Sequence, residues 1–109
     1  MIKIWVDDER PAPKDYDLAA KSVCEAIMAL TISANAQTND EEILLDLDHD
    51  AGEYRRYGGD YITILHFLEY INKTVEGKGT ILVHLHSANP VGVKNMRAVI
   101  NACSYLKEV

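Results

Sequence analysis

The chain of 109 residues is short of cysteine, of basic charge and of aromatic side chains other than tyrosine. Its two cysteines, Cys24 and Cys103, lack the spacing of a metal site, and we expect both to be small core residues kept reduced in the cytoplasm. Acidic residues outnumber basic ones by 17 to 11, which gives a net charge of −6. This balance excludes a broad surface for duplex nucleic acid, although a local site can take a small nucleotide or an RNA end.

Long apolar runs and the common nucleotide-binding loops are also missing from the sequence. No apolar run approaches the ~20 residues of a membrane-spanning helix, and the N-terminal MIKIWVDDE lacks the basic flank and cleavage site of a signal peptide. Neither a phosphate-binding glycine-rich loop nor the Gly-x-Ser-x-Gly elbow of α/β hydrolases is present. With 48% hydrophobic and 26% charged residues, the chain is predicted to be one globular domain over 1–109, cytoplasmic and without a membrane partner.

Apolar runs of strand length alternate along the chain with amphipathic segments of helical length. We predict strands over 2–6, 42–48 and 81–87, a short strand over 17–21, and helices that begin at Ser22, span 60–75 and run from 93 to 109. The polar segment 31–40 is ambiguous between helix and loop. This alternation predicts βαβ units and a small, mostly parallel sheet, in which a ligand site lies at the carboxyl ends of the strands.

Each of the three longer predicted strands ends in polar residues. The sequences are DDE at 7–9, DHD at 48–50 and HSANP at 86–90, and their coincidence predicts one site shared by the three strand ends. The second of them begins like a calcium-binding EF-hand loop, counted from Asp46. Its sixth and twelfth positions are Ala51 and Tyr57 instead of Gly and Glu, and a strand precedes it, so the EF-hand interpretation is excluded.

The acidic group Asp7, Asp8 and Glu9 concentrates charge at the end of a buried strand. Neighbouring carboxylates repel one another, which raises some of their pKa values. One explanation is a bound divalent cation, since oxygen ligands favour Mg²⁺, Mn²⁺ or Ca²⁺. The other is neutralisation in a solvated turn by basic side chains, namely Arg10, Lys14, Arg55 or Arg56. The second acidic group at 48–50 favours the cation.

Two histidines, His84 and His86, lie two positions apart and therefore face the same side of their strand. We expect His84 to be a hydrogen-bonded core residue. His86 stands at the strand end, where a role as general acid or base, phosphate donor or metal ligand competes with a purely structural one. Ser87 and Asn89, which follow it, can donate hydrogen bonds to phosphate oxygens.

Three segments, IWVDDERPAP, LDHDAG and HSANPVG, resemble the cyclic-phosphate-processing receiver-like domain family, and they occur in the family's order. The resemblance covers nearly the whole chain, from Ile2 to the last predicted helix. It implies a receiver-like (flavodoxin-like) three-layer α/β sandwich that works outside two-component signalling. It also implies a role in processing cyclic or terminal phosphates in nucleotide metabolism or RNA repair.

The resemblance carries several roles to residues of this chain. Asp7 and Asp8 match the acidic pair that holds Mg²⁺ in receiver domains, Asp48 (less closely Asp46) matches the carboxylate after the third receiver strand, and Ser87 matches the receiver's Ser/Thr. The family pattern also includes His49, His86 and Asn89, which ordinary receivers lack.

Two features depart from these patterns. No clear final strand with a phosphate-pairing lysine is predicted, because Lys94 lies in the last predicted helix, and a phosphorelay is therefore disfavoured. The order Gly59-Asp60-Tyr61 differs from the expected Gly-aromatic-Asp, so Asp60 is interpreted as a helix cap.

The leading interpretation is a metal-dependent phosphoesterase acting on a cyclic or terminal phosphate of a nucleotide or RNA end. Mg²⁺ or Mn²⁺ is expected on Asp7, Asp8 and Asp48. The expected catalytic residues are His49, His86 and Asp50, and the expected phosphate-binding residues are Ser87, Asn89 and Arg10.

Two other functions stay open. One is a non-catalytic module that binds or sequesters a phosphorylated or cyclic nucleotide, with stacking and pairing by Tyr54, Arg55, Arg56 and Tyr57. The other is a degenerate receiver used for protein interaction. A homo-oligomer built on an exposed helix face is likewise open.

Overall fold

The computed structural model describes residues 1–36, 42–72 and 80–109. Its elements are β1 (Ile2–Val6), β2 (Leu18–Ala20), α1 (Val23–Ala36), β3 (Ile43–Leu47), a 3₁₀ turn (Gly52–Tyr54), α2 (Ile62–Asn72), β4 (Ile81–Leu85), α3 (Pro90–Ala102) and β5 (Leu106–Glu108). Within these ranges no helix is long and apolar enough to cross a membrane. The ambiguous segment 31–40 continues α1 as far as residue 36, and its remainder lies outside the described residues, as do positions 73–75 of the predicted middle helix.

The five strands form one parallel sheet in the order β2-β1-β3-β4-β5, which is the flavodoxin-like order. All four strands predicted from the sequence are present, with bounds that differ by two residues at most. In register, Trp5 of β1 lies beside Asp46 of β3, which lies beside His84 of β4. The carboxyl ends of β1, β3 and β4 are therefore neighbours, and their following residues meet.

The three helices cover one face of the sheet. Their crossovers, β2–α1–β3, β3–α2–β4 and β4–α3–β5, all step in the same direction across the sheet. Because parallel crossovers are right-handed, helices in such a series lie on the same face. The strand side chains beneath them are fully buried and form the core, namely Ile4, Val6, Leu45, Leu47 and Val83.

The opposite face, which a three-layer sandwich covers with helices, carries the 7–17 connection. Tyr16 packs edge-on against Trp5 with ring centroids 5.4 Å apart, and Trp5 Nε1 donates to the Arg10 carbonyl at 2.9 Å. Pro11 and Pro13 keep helical hydrogen bonding out of this short connection. The receiver-like α/β class is confirmed, with the described helices in a single layer.

The expectation that a clear final strand is lacking is wrong. The last helix begins at Pro90 and ends at Ala102, and Cys103 has extended backbone angles (φ −116°, ψ 118°). β5 then pairs in parallel with β4, where Leu106 lies opposite Ile81 and is buried on the sheet. The apolar spacing at 96, 99, 100, 103 and 106 suits a helix, but tertiary packing places its last two positions in a turn and a strand. Lys107 is exposed on β5.

The start of α1 follows the predicted cap. Ser22 Oγ accepts from Glu25 N at 3.1 Å, and Glu25 Oε2 accepts from Lys21 N at 2.9 Å. The expectation that both cysteines are core residues holds for Cys103 only, since Cys24 is exposed. The buried positions of α1 begin at Val23, and the next residue points roughly 100° away around the helix. Neither cysteine forms a disulfide.

Candidate functional site

The polar residues after β1, β3 and β4 meet at one edge of the sheet. Asp48 N donates to the Val6 carbonyl at 3.0 Å, and His86 N donates to the Leu47 carbonyl at 2.9 Å. These bonds continue the parallel ladder by one residue past each strand end. The three polar segments that the sequence singles out are thus brought together.

A cluster of three carboxylates lies at this edge, made by Asp7, Asp8 and Asp48. Each offers an oxygen, and these oxygens lie within 4.8 Å of one another. Burial raises the pKa of Asp8, as do the charges of Glu9, Asp7 and Asp48, and together they outweigh a hydrogen bond from the backbone of Asp8 itself. A cation at the cluster would offset this repulsion. Glu9 is exposed and contributes its backbone N–H.

Gly52 makes room for the cluster. Its φ is +53°, in the left-handed region, and a Cβ there would lie 2.2 Å from Asp8 Oδ2. Both the backbone conformation and the space therefore require glycine at this position.

Each carboxylate oxygen of Asp7 accepts two hydrogen bonds. Its Oδ1 accepts from Glu9 N at 2.8 Å and from Arg10 N at 3.0 Å. Its Oδ2 accepts from His86 Nε2 at 2.9 Å and from Arg10 Nη1 at 3.3 Å. Burial raises the pKa of Asp7, but the N–H groups of Arg10 and Glu9 and the His86 ring outweigh it, so the pKa lies below its usual value. Arg10, which the sequence suggests as a phosphate ligand, is here engaged with Asp7 and the His86 carbonyl.

His86 bridges two carboxylates. Nε2 bonds Asp7, and Nδ1 lies 2.6 Å from Asp46 Oδ1. Ionised carboxylates only accept, so both ring nitrogens carry hydrogens and the ring is an imidazolium. Burial lowers the pKa of His86, but the hydrogen bonds to Asp46 and Asp7 outweigh it and hold the pKa above its usual value. Both nitrogens of this predicted catalytic histidine are already engaged.

Asp46 is the residue whose function the sequence does not reveal. Its Oδ1 accepts from His84 Nδ1 at 3.0 Å as well as from His86, and its Oδ2 accepts from the Tyr16 hydroxyl. One sequence feature could have indicated its position, namely the alternation of side chains along β3. This alternation puts Asp46 on the face opposite the core, beside Trp5 and His84. The prediction that His84 is a core residue is wrong, because its side chain is 49% exposed, although it is hydrogen-bonded.

His49 and Asp50 form a second polar pair at the same edge. His49 Nδ1 lies 2.9 Å from Asp50 Oδ1, and the His49 side chain is 13% exposed. The hydrogen bond from His49 lowers the pKa of Asp50, against its burial and together with the Asn89 amide. A Cβ on Gly92 would lie 2.4 Å from His49 Cγ, so the imidazole packs on α3 only because this position is glycine. His49 Nε2 makes no hydrogen bond within the described part of the chain.

Ser87 and Asn89 lead into the first turn of α3. Asn89 caps the helix by accepting from Gly92 N at 3.0 Å, and Pro90 occupies the first helical position. Ser87 Oγ accepts from Asn89 N at 3.0 Å, which leaves the hydroxyl hydrogen available as a donor. Asn89 Nδ2 donates to Asp50 Oδ2 at 3.3 Å. The positive end of the helix dipole favours an anion at this place.

Asp60 closes the loop after the second polar segment. Its Oδ1 accepts from Ala51 N at 3.2 Å and from Arg55 Nε at 3.1 Å. The carboxylate thus turns back to the loop instead of capping α2, which corrects the sequence interpretation. Asp60 also lies with His49 and Asp50 in a second group whose ligand atoms are within 4.8 Å of one another.

The loop 52–59 presents cationic and aromatic side chains beside the site. The Arg56 guanidinium lies 4.8 Å from the centre of the Tyr57 ring, and the rings of Tyr54 and Tyr57 are 6.2 Å apart. Tyr57 is 45% exposed. The loop is anchored to α1, because Cys24 N donates to the Tyr57 carbonyl at 3.3 Å.

Comparison with known proteins gives one assignment. The family described as "Cyclic-phosphate processing Receiver domain" matches residues 2–102, which include all three strand-end segments and α3. Neither a curated protein nor a solved structure matches the chain. The five-stranded parallel order and the acidic pair after β1 agree with a receiver fold. The chain belongs to the cyclic-phosphate processing receiver domain family.

Proposed function

We propose that this domain is a metal-dependent phosphoesterase for a cyclic or terminal phosphate of a nucleotide or RNA end. The observation that carries the proposal is the carboxylate cluster, which lies at the same sheet edge as the His49–Asp50 pair and the start of α3. Membership of the cyclic-phosphate processing receiver domain family supports a phosphate ester as the substrate. The residues proposed to hold a metal, move a proton and bind a phosphate therefore lie at one sheet edge.

The carboxylate cluster fits a divalent cation. Three carboxylate oxygens within 4.8 Å of one another are a donor set that suits Mg²⁺ or Mn²⁺, with Asp7, Asp8 and Asp48 as the holding residues. A bound ion would supply positive charge opposite the phosphoryl oxygens. Asp8 and Asp48 are only partly buried, and Asp7 is kept ionised by its donors.

His49 is the residue best placed to transfer a proton. Asp50 fixes its Nδ1, and Nε2 is left to face a ligand. In the proposed hydrolysis, water attacks phosphorus and forms a P–O bond while Nε2 accepts its proton. The P–O bond to a sugar oxygen breaks, and the proton passes to that oxygen. We assign His86 to the site as the group that holds Asp7.

The phosphate is bound where α3 begins. The Ser87 hydroxyl and the Asn89 amide are donors at that end of the helix. Arg10 adds, from the β1 side, the guanidinium N–H groups that do not contact Asp7 or the His86 carbonyl. Donors that are fixed before the substrate arrives stabilise the charge that develops on the phosphoryl oxygens.

The nucleoside is bound by the loop 52–59. Its two arginines and two tyrosines form a cationic, aromatic surface on a chain whose net charge is −6. Base stacking on an aromatic ring contributes roughly 1–3 kcal/mol. We therefore propose a nucleotide or an RNA terminus as the partner, in repair or turnover of such ends. Neither cysteine forms a disulfide, which agrees with a reducing cytoplasm.

The proposal is tested by incubating the protein with 2′,3′-cyclic, 3′,5′-cyclic and linear nucleotides in Mg²⁺, Mn²⁺ or EDTA and analysing the products. Hydrolysis that needs the metal is the expected result, and full activity in EDTA removes the metal's role. Tight binding in calorimetry with the ligand recovered intact identifies a binding module instead. A protein that neither binds phosphates nor changes its thermal stability with metal is an interaction module.

A further inference from the structure

We propose that Asp46, buried near the carboxyl end of β3, is a positioning residue that sets the orientation of the His86 ring and thereby fixes Asp7 in the carboxylate cluster. Its position is on the second face of the sheet, away from the helices. The orientation itself is independent of what the domain does. Only its effect on turnover rests on the proposed function.

The burial of Asp46 requires an explanation. Its side chain is 5% exposed, and an isolated carboxylate would be costly at such a position. Three donors offset that cost, from Tyr16, His84 and His86. One of these donors, His86, also contacts Asp7 of the carboxylate cluster. Asp46 on the second face of the sheet is therefore linked through His86 to the site at the sheet edge.

The His86 ring is held in its plane by Asp46. The Nδ1–Asp46 distance is 2.6 Å and the Nε2–Asp7 distance is 2.9 Å, so the ring spans two fixed carboxylates. Rotation about the Cβ–Cγ bond would break both bonds. With Asp46 removed, the contact to Asp7 is the one side-chain hydrogen bond among the described residues that still opposes that rotation.

Trp5 holds the same ring from its face. The two rings stack with centroids 4.0 Å apart and planes 4° apart. Trp5 is itself anchored, because its Nε1 donates to the Arg10 carbonyl. Asp46 therefore controls rotation in a ring whose tilt is already restricted.

The consequence for the site follows from the contacts of Asp7. Its Oδ2 has only His86 Nε2 and the longer contact to Arg10 among the described residues. If the His86 ring turns, Asp7 loses the closer of the two and the carboxylate can shift within the cluster. Loss of partners that orient a metal ligand typically costs about 10–100-fold in affinity or activity.

His84 supplies a matched control. It donates to the same Asp46 Oδ1, but its side chain is 49% exposed and its bond ends at Asp46. An H84A substitution removes a partner of Asp46 without removing the link to Asp7. A merely structural function of Asp46 would make the two kinds of variant resemble each other at His86.

The chain contains one tryptophan, so its emission reports the His86 ring directly. A stacked imidazolium quenches indole fluorescence, and H86Q gives the unquenched reference. We expect the Trp5 emission of D46A to approach that of H86Q. The emission of D46N should be intermediate, because the amide keeps an acceptor for His86. The emission of H84A should match that of the unchanged protein. Circular dichroism and thermal melting verify that each variant is folded, and D46N decides if D46A does not fold.

A crystal structure of D46N or D46A distinguishes rotation of the ring from a change in its charge. With a substrate in hand, kcat falls about 10–100-fold in D46A with KM changed less than about threefold, and D46N regains part of the loss. Folded Asp46 variants in which the His86 ring is unmoved overturn the proposal, whether or not the Trp5 emission changes. If the unchanged protein turns nothing over, the proposed function fails, while the emission and the ring position still decide the role of Asp46.

Discussion

His86 Nε2 lies 2.9 Å from Asp7 Oδ2, which joins residues 79 positions apart in sequence. The bond connects the end of β4 with the end of β1 across β3. It places an imidazolium against one member of the carboxylate cluster, where Arg10 also approaches. Asp7 is thus charge-compensated, whereas Asp8 faces its carboxylate neighbours.

Substituting Asp8 by Asn should remove the response to metal. We expect Mn²⁺ or Mg²⁺ to raise the melting temperature of the unchanged protein, because an ion at about 100 times its Kd stabilises by about 2.7 kcal/mol. D8N should show no such rise, while being more stable than the unchanged protein in EDTA, since burial and the repulsion of neighbouring carboxylates raise the pKa of Asp8. Differential scanning fluorimetry measures both effects. The control is E9Q, which removes the same charge from the exposed neighbour and should keep the metal response. A metal response retained in D8N would contradict metal binding at the carboxylate cluster.

Substituting His49 by Gln should lower kcat by about 10²–10⁴-fold, the usual contribution of a positioned acid or base. Nucleotide affinity should change little, because the phosphate donors are elsewhere. Steady-state kinetics and calorimetry separate the two. H66Q is the control, since His66 is an exposed histidine on α2. Full activity in H49Q would contradict the proton-transfer role of His49.

The bridge Asp46–His86–Asp7 predicts how stability depends on pH in the metal-free protein. The pKa of His86 is raised by folding, so its contribution is complete below the unfolded pKa and is lost as pH rises through the folded one. The pKa values of Asp7 and Asp46 are lowered, so their contribution is complete above their unfolded values and is lost as pH falls through the folded ones. The stabilisation is therefore greatest between these two limits.

H86Q tests this pH dependence. Urea unfolding in EDTA should show a loss of about 3 kcal/mol on the acidic side of neutrality, typical of a buried ion pair that loses one partner. The difference from the unchanged protein should shrink as pH rises above the usual histidine range. A difference that stays constant from mildly acidic to alkaline pH would mean that the imidazolium charge contributes nothing.

Substituting Tyr57 by Ala should weaken the binding of nucleotides. The binding of phosphodiesters that carry no base should stay the same. A stacked base contributes roughly 1–3 kcal/mol, so KM for a cyclic nucleotide should rise by about tenfold or more with kcat nearly unchanged. Y70A is the matched control, because Tyr70 is 69% exposed on α2 and outside the loop. An equal effect on both substrate types would argue against base recognition by this loop.

The sequence predicts much of the fold because its signals are local. The apolar runs within 2–6, 42–48 and 81–87 identify three strands, and the Ser22–Glu25 spacing identifies the start of α1. β5 could not be predicted from local patterns, since three residues show no reliable period and Leu106 also fits a helical spacing. The exposure of Cys24 could not be predicted from them either, because only packing decides which side of α1 faces the core.

For the candidate site, the sequence by itself determines which residues gather. Parallel strands place Asp7, Asp48 and His86 at one edge wherever a βαβ topology holds. The tertiary structure alone decides which of these side chains form hydrogen bonds with one another. Asp46 joins the network because the strand register sets it beside Trp5 and His84, and His86 faces Asp7 because two carboxylates and an indole fix its ring. Side-chain hydrogen bonds of this kind depend on differences of an ångström between distant segments, which composition and spacing do not encode.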